Sequence, residues 1–174
     1  MEQLLGDLLK IVLPAGMILY AMFLVVKAFL TKDFERRLIE MKVKNTEIIL
    51  PIRLQAYERM SLFLERISLS HLIVRVNDPS YNVVQFQQVL LTEIRNEFQH
   101  NLSQQVYMSD QTWVLIKKSM EDIVSTINMA ASVLPPDVRG IELARKVFEI
   151  QSDRNEEPTA PALKYLKDEI RRVF

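Results

Sequence analysis

The chain contains no cysteine, which excludes disulfides and thiolate-ligated metal centres and fits a reducing cytoplasm. Glycine is almost as scarce, with 3 residues at positions 6, 16 and 140. An all-β fold would need more of them for its turns. A phosphate-cradling loop would need them close together. An excess of one charge is also missing, since 22 Lys and Arg balance 22 Asp and Glu. A nucleic-acid partner, which calls for a basic surface, is therefore not expected. There is no low-complexity tract and no internal repeat.

What the chain does have is one charge-free apolar run, 16 residues from Ile11 to Val26, closed by Lys10 and Lys27. At the helical rise it covers roughly 24 Å, against a bilayer core of about 30 Å. Lys10 and Lys27 can extend it by snorkelling and are the predicted membrane-anchor residues. Pro14 and Gly16 are tolerated in a span, and Pro14 marks either a kink or the helix start. A cleaved signal peptide is disfavoured, because Glu2 and Asp7 precede the first lysine and no small-x-small site follows the run. A buried soluble helix is disfavoured because Met17 to Val26 is apolar on every face. Only Lys10 precedes the run, whereas Lys27, Lys32, Arg36, Arg37, Lys42 and Lys44 follow it. The positive-inside asymmetry predicts a single-pass protein with its N-terminus outside and its C-terminal domain cytoplasmic.

After the anchor, about 140 residues remain, enough for one compact domain. Residues 31–50 continue as a stalk helix of mixed charge, with Phe34, Leu38, Met41, Ile48 and Ile49 leaving apolar surface for lipid, for the bundle or for another copy. Pro51 is placed to begin a new helix, whose face is Ile52, Ala56, Met60, Phe63 and Ile67, running to about Leu69. Residues 71–81, with the turn Asn77-Asp78-Pro79-Ser80, read as a loop packed on the bundle. A helix follows from Tyr81 to about Gln105, with Val83, Leu90, Ile94, Phe98 and Leu102 on one side. Its other surface is rich in glutamine.

The most regular pattern follows. After an N-cap at Ser109 or Asp110, Trp113, Ile116, Met120, Ile123, Ile127, Ala130 and Leu134 keep a three-four alternation. Pro135-Pro136 stops that helix, and Asp137 is placed to cap the next, with Ile141, Ala144, Val147, Phe148 and Ile150 as its apolar positions. A polar linker at Asn155 to Pro158 leads to a last helix carrying Leu163, Leu166, Ile170 and Val173. The predicted fold is all-α. Residues 1–30 are a transmembrane anchor, 31–50 a juxtamembrane stalk, and 51–174 an antiparallel bundle of about five helices.

Chemistry is weakly signalled. Glu93, Glu97 and His100 contain the Glu-x-x-His spacing of di-iron carboxylate bundles, but a second such motif is needed and position 68, three before His71, is serine. Ser68 and Ser70 stand near His71 without any mark of an oxyanion hole. No catalytic residue, metal site or cofactor is predicted. Arg53, Tyr57, Arg59 and Arg66, with Glu58 and Glu65 between them, form a better set, because arginine and aromatic residues anchor protein interfaces. They are the predicted partner-binding residues.

The N-terminal span followed by Leu50-Pro51-Ile52-Arg53-Leu54-Gln55-Ala56-Tyr57-Glu58-Arg59-Met60 resembles an uncharacterised family of small membrane-anchored helical proteins of Bacteroidetes-type bacteria. The resemblance covers nearly the whole chain. It implies an inner-membrane protein and supplies no activity. The expected function is an interaction or scaffold module that meets the lipid bilayer, docks an unnamed protein partner and is a possible homo-oligomer. The alternatives are a lipid-surface sensor using the stalk and, more remotely, a metal-binding bundle.

Overall fold

The structure is a computed structural model that describes residues 2–154 and 156–172. Its described residues are helical apart from short turns and one isolated backbone bridge. The helices are α1 (Glu2–Ile67), α2 (Leu69–Val76), α3 (Val83–Asn101), α4 (Asp110–Ser132), α5 (Gly140–Asp153) and α6 (Ala160–Arg171), with a 3-10 segment at Leu102–Tyr107. The chain divides into two compact units, residues 1–50 and 51–174.

In the first unit, α1 is one helix through the apolar run and the stalk. None of its most apolar window is buried, and the helix is long and apolar enough to cross a membrane. Neither Pro14 nor Pro51 interrupts it. The expectation that Pro51 opens a new helix is therefore corrected. A proline costs one backbone hydrogen bond and crowds the carbonyl four residues earlier. Pro51 and Glu47 are both exposed residues, and on an exposed helix surface water can replace the lost bond.

The second unit is a bundle built on the last turns of α1. Of the predicted face, Ala56, Met60, Phe63 and Ile67 are buried, together with Tyr57 and Leu64, whereas Ile52 is exposed. Within the bundle, α4 packs on α3, α5 and α6, while α5 also meets α2 and α3. The α4 stripe behaves as read. Ile116, Ile123, Ile127 and Ala130 are buried, and Trp113, Met120 and Leu134 pack against them. Phe98 bridges two parts of this core, its ring 5.9 Å from Phe63 and 5.5 Å from Trp113.

Several boundaries differ from the sequence reading. Residues 69–76, read as the helix end and a loop, form α2. Its β-branched residues have only a small helical penalty, which burial of Leu69, Leu72 and Ile73 at i, i+3 and i+4 outweighs. Ser68 makes the corner by leaving helical backbone (φ −55°, ψ 140°). Its hydroxyl donates to the Glu65 carbonyl at 2.8 Å. Helix α3 ends at Asn101 rather than near Gln105, and Leu102 is exposed. Asp137 does not cap α5, whose N-cap is Arg139. There the backbone is held otherwise. Val83 N–H donates to the Val138 carbonyl at 2.9 Å, and Gly140 N–H to the Tyr81 carbonyl at 2.7 Å. This pairing ties the start of α5 to the start of α3. A Cβ on Gly140 would meet Tyr81 O and Phe86 Cβ, each at 3.1 Å, so this position calls for glycine. On α5, Leu143 takes a core place, while Ile141 and Phe148 are largely exposed. The bundle thus has six α-helical segments among the described residues rather than five. Val173 lies outside the described residues.

Candidate functional site

Tyr57 sits on the last turns of α1, one position past the Ala56 stripe, and is buried. Its hydroxyl donates to Glu169 Oε1 on α6 at 2.6 Å. Glu169 follows the buried Leu166 by three residues and so borders the core face of α6. Its carboxylate also accepts from the Ser109 N–H at 2.9 Å, from the Ser109 hydroxyl at 2.7 Å and from the Thr112 hydroxyl. Ser109 caps α4 at the same time, accepting from the Thr112 N–H at 3.2 Å. One carboxylate therefore joins α1, α6 and the N-terminus of α4, where negative charge suits the helix dipole.

Arg53 completes the joint. It donates to the Tyr57 hydroxyl at 3.0 Å and to the Tyr107 carbonyl at 3.2 Å. Its guanidinium lies 5.8 Å from the Tyr57 ring centre, within cation–π range. Burial raises the Glu169 pKa, but hydrogen bonds from Thr112, Tyr57 and Ser109 outweigh it and hold the carboxyl below its ordinary value. Burial and the bond to Glu169 raise the Tyr57 pKa, opposed by Arg53. A carboxylate with four donors is saturated. It suits a structural joint, not a general base.

Beside this joint an open groove of about 840 Å³ lies between α1 and α6. Its apolar lining includes Pro51, Ile52, Leu54, Leu62, Leu166 and Ile170, and Tyr57 contributes to it. Glu58 and Lys167 are the charged residues of the lining. Ile52 and Leu62 remain 43% and 54% exposed, so this face is unsatisfied within the bundle.

Of the predicted partner-binding residues, the structure brings Arg53 and Tyr57 together. Arg66 is elsewhere, paired with Glu97 of α3 at 3.1 Å. Arg59 is exposed and makes no ion pair among the described residues. Lys10 and Lys27 lie on α1, both exposed. The weak metal candidates are not gathered into a metal-holding group among the described residues. Glu93 pairs with Arg75 at 2.8 Å, Glu97 with Arg66, and His100 Nδ1 lies 2.8 Å from the Asn96 carbonyl. Glu93 and Glu97 are half-buried and reach across to α2 and α1. Ser68, 3.0 Å from His71 Nδ1, is buried at its corner.

Sequence reasoning missed Glu169, Ser109 and Thr112 as a unit. One signal was available: Thr112 precedes Ile116 by four residues and so falls on the buried stripe of α4, where a polar group needs a partner.

The chain belongs to a family of unknown function, DUF7935, which matches residues 3–173. This agrees with the resemblance to an uncharacterised family over nearly the whole chain. No curated protein and no solved structure matches the chain.

Proposed function

We propose that this DUF7935 chain is an inner-membrane-anchored interaction protein whose cytoplasmic bundle docks a partner protein. The observation that carries the reading is the open groove between α1 and α6. A bundle that buries Met60, Phe63 and Leu64 completely leaves Ile52, Leu54 and Leu62 lining an unfilled apolar trough. Exposed apolar surface of this kind marks interaction sites. The occupant that fits is the apolar face of a partner helix. Such a helix would carry an anion and a cation to meet Lys167 and Glu58. Arg53, Tyr57 and Glu169 serve this site by fixing the two walls. Arg59 lies on the same helix and supplies flanking charge, whereas Arg66 is committed to Glu97 of α3.

Membrane attachment is supported by the charge-free run, by its complete lack of burial and by the basic residues that follow it. The unbroken helix from the run into the stalk weighs against the lipid-sensor alternative. A helix that crosses a bilayer does not lay its next turns along the surface. Binding rather than catalysis is supported by the internal commitments of Glu169, Ser68, Glu93 and Glu97.

The test is a mild-detergent pull-down of the natively expressed, C-terminally tagged full chain, with partners identified by mass spectrometry. The comparison is with a variant carrying Ile52→Glu and Leu62→Glu. A stoichiometric set of envelope proteins, lost in the variant while thermal unfolding is unchanged, is expected. Recovery of the protein alone, or the same partners with both proteins, would overturn the reading.

A further inference from the structure

The connection between α5 and α6 passes beside α4 and leaves a cavity of about 360 Å³, within the size range of small-molecule sites. Five ionised side chains line it, Lys118 and Asp122 of α4 with Arg154, Glu156 and Glu157 of the connection. None of the five forms an ion pair among the described residues. Lys118 and Asp122 stand four apart on one helix, where opposite charges ordinarily meet. The hydroxyl of Ser119 opens on the same cavity. This residue is only 3% exposed, and its hydroxyl has no hydrogen-bond partner among the described residues. Buried polar groups are normally paired, so this one calls for a partner from outside the chain. Internal bonds fix the cavity's shape. The Arg154 guanidinium donates to the Thr126 hydroxyl at 3.0 Å. Thr126 is fully buried and donates in turn to the Asp122 carbonyl at 2.8 Å. The Gln151 side-chain amide donates to the Glu156 carbonyl at 2.9 Å.

We propose that this cavity binds a free basic amino acid, at a site separate from the groove between α1 and α6. A simple anion there would meet three carboxylates, and a simple cation would meet Lys118 and Arg154. A ligand with one anionic and two cationic groups complements all five charges. Its α-carboxylate has Arg154, Lys118 and the Ser119 hydroxyl as donors. Its α-ammonium and side-chain cation have Asp122, Glu156 and Glu157 as acceptors. Its methylenes lie against Leu115, Pro158 and Pro161, the apolar part of the lining. A metal ion is not the ligand that fits, because these carboxylates are not gathered into a metal-holding group among the described residues.

The test is calorimetric titration of the detergent-solubilised full chain with L-lysine and L-arginine at up to millimolar concentration. Two analogues accompany them, cadaverine, which lacks the carboxylate of lysine, and L-norleucine, which lacks its side-chain amine. At least one basic amino acid should bind saturably. Both analogues should bind at least about tenfold more weakly, the worth of one hydrogen bond to a charged group. Arg154→Gln should weaken binding by a similar factor. Ser119→Ala should weaken it roughly three- to tenfold, the worth of one neutral hydrogen bond. Because that hydroxyl holds nothing within the chain, Ser119→Ala should leave thermal unfolding without ligand unchanged, so a loss of binding there is not a loss of fold. No saturable heat with either amino acid, equal heats with the analogues, or unaltered affinity in both variants would overturn the site.

Discussion

The two units of this protein contain similar kinds of apolar side chain and place them oppositely. In residues 1–50, Ile18, Leu19 and Phe23 are 68%, 68% and 59% exposed, whereas in residues 51–174 Phe63, Phe86 and Ile116 are fully buried. Apolar content alone does not separate these outcomes. Periodicity does. Met17 to Val26 has no polar side to turn toward water, so burying one face would leave another equally apolar face exposed. Helix α4, with Ile116, Ile123 and Ile127 on one side and Lys117, Glu121 and Asn128 elsewhere, satisfies both solvents at once. The stalk is intermediate, mixing charged side chains with exposed apolar ones such as Phe34, Ile39 and Val43.

This contrast can be broken by experiment. The largest effect is expected from charging the apolar run. Ile18→Arg together with Phe23→Arg costs about 5–7 kcal/mol on insertion scales. It should move the chain from membrane to soluble fractions while the helical circular dichroism of the bundle persists. A doubly charged chain that stays in the membrane would remove the span.

Truncating an aromatic side chain should distinguish the units sharply. Phe63→Ala should destabilise the bundle by about 3–5 kcal/mol in urea unfolding of the detergent-solubilised chain. Phe23→Ala should leave that transition within about 0.5 kcal/mol. Equal losses would mean that the two units do not differ as described.

The smallest effect concerns the joint. Glu169→Gln should cost about 1–3 kcal/mol at neutral pH by weakening bonds to Tyr57, Ser109 and Thr112. The carboxyl is held below its ordinary value of 4.5. Its contribution is therefore fully present above that value and is lost as pH falls through the lower folded value. The wild-type and Glu169→Gln unfolding curves should differ at neutral pH and converge in acid. A constant difference across pH would remove the carboxylate's charge from the account.

Much of the architecture was legible where one signal dominated. The α4 stripe and the positions Ala56, Met60, Phe63 and Ile67 were read correctly because burial on one side enforces their spacing, whereas Ile52 of the same predicted face lines the open groove. The turn at Asn77 to Ser80 was read from local chemistry, which acts without help from the rest of the fold. Misreadings fell where local and tertiary preferences compete. Leu72 to Val76 is β-branched enough to suggest extended chain, yet the core takes Leu72 and Ile73 in helical form. Pro51 carries a start signal that the surrounding helix overrides. Of the site, Arg53 and Tyr57 were legible as one helix surface, but their role was not. Their partners Tyr107 and Glu169 lie 54 and 112 positions away in the chain, and Glu169 in turn holds Ser109 and Thr112, 60 and 57 positions before it.

By itself, the sequence determined the helical class, the apolar run with its flanking lysines, and the buried faces of the longer helices. Those follow from periodicity and charge, properties that each segment carries alone. Only the tertiary structure decided that Glu169 gathers three elements, that Glu93 and Glu97 are held by arginines, and that α1 and α6 leave a groove between them. Each of these depends on residues distant in the chain meeting within hydrogen-bond or van der Waals reach. That proximity arises from packing many side chains together, and no local pattern encodes it.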